Sequence, residues 1–116
     1  MTESMRLEVE DREGISVIAT SGYINNEGGE EIARVANQLL DDGRRTLLLN
    51  LAGTKIVNSI GISILIELIE RILEVEGRLA FCNLTPTIEK TFHIMGLTQY
   101  AEVFDDEGAA MAALSV

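Results

Sequence analysis

Asn58, Ser59, Ile60 and Gly61 stand where an apolar, strand-like run gives way to a helical pattern, and they are the residues with most scope for chemistry. The first turn of a helix carries backbone N–H groups that have no partner within the helix, and the helix dipole adds partial positive charge there. Asn58 and Ser59 can each offer an oxygen to those donors, and Ser63 lies one turn further on. Gly61 removes a side chain in that first turn, where another backbone or a phosphate could approach closely. Ordinary capping explains the Asn-Ser pair without any ligand.

Other chemistry-bearing residues are sparse. A catalytic set needs a nucleophile, a base and a group that orients them, and the chain has one cysteine and one histidine. Cys82 lies in an apolar run and His93 lies beside Phe92 and Met95, so both read as structural. The acids "DDEG" at 105–108 lack the alternating ligands of a calcium loop and suit the start of a helix. "EGGEEI" at 27–32 has no P-loop lysine and no preceding fingerprint. No metal-ligand spacing is present, and neither a metal, a cofactor nor an enzymatic activity is expected.

The elements that must position these residues belong to a chain of 116 residues with 47% hydrophobic content, enough for one core and one domain over 1–116. Nineteen acids against nine bases give a net charge of −10, which opposes nucleic acid as a partner. Glu67, Glu70 and Arg71 interrupt the richest apolar run, so no membrane span is expected. The N-terminus lacks the layout of a secretory signal, and one cysteine cannot form an internal disulfide; a cytoplasmic location is the expectation.

Alternation of Met5, Leu7 and Val9 predicts a strand over 5–11, and "REG" at 12–14 turns the chain into an antiparallel strand over 15–24. Asn25 can cap a helix over about 26–42, with Ile32, Val35, Ala36, Leu39 and Leu40 at helical spacing and Gly43 as its stop. The continuous apolar run over 45–53 predicts a central strand covered on both faces. A helix follows within 54–72, then a strand over 78–84 placed parallel to the previous one by a right-handed crossover. Thr85 and Pro86 start a third helix that Gly96 stops, a short strand covers 100–104, and a last helix begins at the acids. The fold class is therefore α/β, a mixed and mostly parallel sheet in ββαβαβαβα order with helices largely on one side.

In the helix within 54–72, Ile62, Leu65, Ile66, Ile69 and Leu73 form a stripe expected to face the sheet. Ile60, Ile64 and Leu68 form a second row beside Ser63, Glu67 and Arg71. Full burial of each such side chain is worth about 1.5 to 3 kcal/mol, so this row should be covered, either by another helix of the chain or by another molecule. A partner-facing surface is the expectation.

The order of elements, with "IVNSIGISILI" joining a buried strand to a helix, resembles the STAS domain of bacterial anti-sigma factor antagonists over essentially the whole chain. In that family the junction typically reads Asp-Ser-Ser/Thr-Gly before an apolar residue; the matching positions here are Asn58, Ser59, Ile60 and Gly61. Gly22, Tyr23, Ile24 and Asn25 resemble the family's Gly-x-Leu-Asp, and "AFCNLTPTIEKTFHIMGL" resembles its later strand, helix and closing Gly-Leu.

The resemblance implies partner switching. The unphosphorylated antagonist binds an anti-sigma factor, usually also its ATP-binding serine kinase, and thereby frees a sigma factor; phosphorylation of the hydroxyl before the junction glycine breaks the complex. Here that position is Ile60, which has no hydroxyl, and the acids at both junctions are the amides Asn25 and Asn58. The amides can still cap helices while the negative charge is gone. Ser59 and Ser63 are the remaining candidate acceptors, Ser59 standing at a family position that is not normally the acceptor. The partner surface expected from the resemblance and the apolar row comprises Asn25, Asn58, Ser59, Ile60, Gly61, Ser63, Ile64, Glu67 and Leu68. A self-associating scaffold or regulatory module, with a small ligand beneath the junction, is the other reading.

Overall fold

Leu47, Leu48 and Leu49 are consecutive and each is fully buried, which in a strand requires cover on both faces of the sheet. A computed structural model describing residues 5–115 shows how that cover is provided. Strands β1 (Arg6–Arg12), β2 (Ile15–Ile24), β3 (Thr46–Val57), β4 (Arg78–Cys82) and β5 (Glu102–Phe104) form one sheet in that order. β1 pairs antiparallel with β2, and every later pairing is parallel. Helices α1 (Asn26–Asp41), α2 (Ser59–Glu74), α3 (Pro86–Ile94) and α4 (Glu107–Leu114) complete the expected order, with a short 3-10 turn at Leu97–Gln99 before β5.

The two faces are unequal. Leu47, Leu49, Leu51 and Phe81 join residues of α1, α2 and α3 in the larger core, where Phe81 and Phe92 meet edge to face at 5.0 Å. Leu48, Ala80 and Cys82 point the other way, toward Ala110 and Leu114 of α4. Three helices therefore cover one face and the last helix covers part of the other. Buried polar groups are satisfied: the Thr20 and Thr54 hydroxyls pair at 2.7 Å, and the Ser16 hydroxyl accepts from Arg44 Nε at 3.1 Å.

Two expectations change. The strand expected over 45–53 is longer: Thr54–Val57, inside the stretch 54–72 expected to hold the helix, continues β3 and pairs with the end of β2 through Tyr23–Ile56 and Ile24–Val57, and α2 starts after its Asn58 cap. Pairing to β4 ends at Asn50, so Leu51–Val57 of β3 pair with β2 alone, with irregular register. A Cβ on Gly53 would lie 2.6 Å from that of Ser21, so Gly53 marks a place of close strand approach.

The second change concerns the faces of α2. Leu68 is 3% exposed, Ile64 is half-buried, and Ile72 joins the core, whereas Leu73, assigned to the sheet-facing stripe, is 46% exposed. Ile66 is only partly buried. α1 lies alongside α2 and covers the row expected to face a partner, so the buried arc of α2 is rotated toward α1. Of that row only Ile60, at 52%, remains exposed.

Candidate functional site

Two asparagines begin two adjacent helices in the same way. The Asn25 side chain accepts from Gly28 N at 3.0 Å, and that of Asn58 accepts from Gly61 N at 2.8 Å. Each satisfies one unpartnered donor of a first turn. Asn58 also donates its own backbone N–H to the Ile24 carbonyl at 3.1 Å, which fixes the start of α2 to the end of β2.

Glycines allow the two helix starts to sit this close. A Cβ on Gly61 would lie 2.5 Å from the Ile24 carbonyl oxygen, and one on Gly28 would lie 2.8 Å from that of Tyr23. A Cβ on Gly29 would lie 2.9 Å from Ile64 Cδ1 and 3.4 Å from the Gly61 Cα. The space at Gly61 is thus occupied by the chain's own backbone; the glycine is explained by packing within the fold. Ile64, placed among the expected partner contacts, is spent on the α1–α2 contact. Leu68 is buried in the chain itself and presents nothing to a partner.

Outside this seam stand Ser59, Ile60, Ser63 and Glu67, all exposed, with Asn25 and Asn58 half-buried at its edge. Asn58 performs the capping, not Ser59. The Ser63 hydroxyl donates to the Ser59 carbonyl at 3.0 Å, a local bond to the preceding turn. α2 has no acid in its first turn, so its positive end is offset only by the neutral Asn58 amide.

Residue-pattern reasoning missed Tyr23 and Ile56. They pair at the end of β2 and β3, 36% and 57% exposed, and with Ile60 they give this end of the molecule three large apolar side chains in water. The extension of β3, which a lone sequence disguises as a helix start, brings them together. Gly28 and Gly29 were also passed over; two glycines inside a helix require a packing reason, and that signal was available.

Cys82 and His93 sit elsewhere. Burial pushes the Cys82 thiol up to about 12, with the charges of Glu107 and Asp106 adding to the effect. His93 is exposed on α3, its Nδ1 3.1 Å from the Thr98 hydroxyl. Asp106 caps α4 by accepting from Ala109 N at 2.8 Å. Among the described residues no three His, Cys, Asp or Glu side chains converge as a metal site, and no helix is long and apolar enough to cross a membrane.

The fold and the site define a small layered α/β module whose distinguishing surface is a pair of glycine-packed helix starts at the end of two strands. The chain belongs to the STAS domain family, which it matches over residues 6–110. It is 25% identical over 109 residues to a protein named as an anti-sigma factor antagonist, BtrV of Bordetella bronchiseptica, covering 94% of each chain. Its fold is similar to the crystal structure of an anti-sigma factor antagonist from Mycobacterium paratuberculosis, with TM-score 0.84, 22% identity and 97% of each chain covered. It is also similar to the Bacillus cell fate determinant SpoIIAA in its phosphorylated form, with TM-score 0.73 and 21% identity over 93% of this chain and 99% of that one.

Proposed function

We propose that this chain is an anti-sigma factor antagonist acting in the cytoplasm by protein–protein contact, without the usual phosphoserine switch. It binds an anti-sigma factor of the ATP-binding serine kinase type through the start of α2 and so releases a sigma factor. Ile60 carries this reading. It stands at the position where the family places its phosphate-accepting hydroxyl, and it is 52% exposed on the first turn of α2. An apolar side chain left in water at that point forgoes burial energy that a partner could supply. Asn25 and Asn58 keep the capping role of the family's acids and remove their charge. No catalytic step is part of this function; any ATP belongs to the partner.

The test is binding of the full chain to a purified anti-sigma factor kinase by calorimetry, with and without ATP. A complex that persists under ATP, with no phosphate gained by this chain in intact-mass measurement, supports the reading. Absence of a complex, or stoichiometric phosphorylation at Ser59 or Ser63, overturns it.

A self-associating module has one observation in its favour. Ile94 and Met95 at the end of α3, and Tyr100 after the 3-10 turn, are 69%, 50% and 63% exposed and form a second apolar region. Light scattering on the isolated chain separates the two readings.

A further inference from the structure

The solvent-facing surface of α1 and α2 leads away from Ile60 along two rows of carboxylates. On α2, Glu67, Glu70 and Glu74 lie on the same exposed side of the helix as Ile60, at helical spacing from it. On α1, Glu27 and Glu30 are likewise exposed. α1 carries four acids and one arginine, and α2 carries three acids and one arginine; their net charge of −5 is half of the chain's −10. Both arginines are already engaged. Arg34 grips Glu31 at 2.6 Å, holding that carboxyl below its usual range, while Arg71 reaches Asp41 at 2.8 Å and also bonds Asn37. Among the described residues no salt bridge engages Glu27, Glu30, Glu67, Glu70 or Glu74.

Resting on the proposed contact at Ile60, we infer that the docking surface extends down the α1–α2 ridge and fits a basic protein surface with an apolar socket at one end. The socket receives Ile60, and Lys or Arg side chains of the partner meet the carboxylates of the ridge. A second copy of this chain is excluded as the occupant of this face, because it would set one −5 surface against another. Unpaired carboxylates at a rim act chiefly on encounter: they speed association with a positive partner and make it sensitive to salt.

Stopped-flow association of the full chain with its purified anti-sigma factor tests this. The wild-type rate constant should fall roughly tenfold or more between low and high ionic strength. The double variant Glu67→Lys/Glu70→Lys should associate roughly tenfold more slowly at low salt and show a flattened salt dependence, with a smaller change in dissociation. Both positions are exposed and unpaired, so its circular dichroism and melting temperature should match wild type. Ile60→Asp separates the layers of the argument. If Ile60→Asp abolishes binding while the double variant behaves as wild type, the ridge inference fails and the contact at Ile60 stands. If Ile60→Asp binds as wild type, or no complex forms at all, the underlying contact fails and the inference falls with it.

Discussion

In the proposed function, Ile60 is the residue whose chemistry distinguishes a simple binder from a phosphoserine switch. Incubation with the cognate kinase and ATP should leave the wild-type mass unchanged, because a branched alkyl group offers no oxygen to phosphorylate. Ile60→Ser should gain one phosphate and then lose affinity, since a dianion of about −1.5 to −2 charge would occupy an apolar contact on an already acidic surface. Mass spectrometry read alongside calorimetry checks both halves; an unmodified Ile60→Ser variant would show that the lost acids matter more than the lost hydroxyl. The neighbouring Asn58 has a purely structural duty that can be measured. Asn58→Ala removes the acceptor for Gly61 N and should cost about 1 kcal/mol in urea unfolding, whereas Asn58→Asp, which keeps the acceptor, should not destabilise.

At the scale of elements, the seam between α1 and α2 is the feature that sets which side chains remain free for a partner. Its close approach depends on Gly29, where a Cβ would lie 2.9 Å from Ile64 Cδ1, while Gly28 and Gly61 let the two helix starts pack against the end of β2. Leu68→Glu places a charge inside that seam and should abolish cooperative folding or cost more than about 3 kcal/mol. Ile60→Glu, on the same row but outside the seam, should change stability by no more than about 0.5 kcal/mol. Thermal melts of the two variants compare them directly; equal destabilisation would mean that Ile60 is also packed in solution.

For the molecule as a whole, the second, smaller core beneath α4 has a titratable probe in Cys82. Its folded-state pKa is raised from 9.0 to about 12, so the thiol is favoured in the folded chain and the thiolate in the unfolded one. The resulting stability is fully present below pH 9 and is lost as pH rises toward 12. Wild type should therefore lose stability across that range more steeply than Cys82→Ala, as seen in denaturant midpoints. Thiol reagents near pH 8 should label Cys82 only at the rate at which this core opens.

Much of this architecture was legible along the chain. Asn25, Asn58, Thr85 and Asp106 cap helices where their types and the following apolar spacing place them, because capping is settled within four residues. The leucine run at 47–49 announced a central strand for an equally local reason, and the family's junction could be matched position by position to Asn58, Ser59, Ile60 and Gly61. The faces of α2 were not legible. Its apolar residues surround more than one stripe, and a period of 3.6 cannot tell a sheet from a neighbouring helix as the thing that covers them. Only the tertiary structure, by setting Gly29 against Ile64 and Gly61, buried Leu68 and released Leu73. The same holds at the end of β3, where Lys55, Ile56 and Val57 are strand because β2 is there to pair with them. Long-range pairing made that choice, and it left Tyr23, Ile56 and Ile60 in water at one end of the molecule.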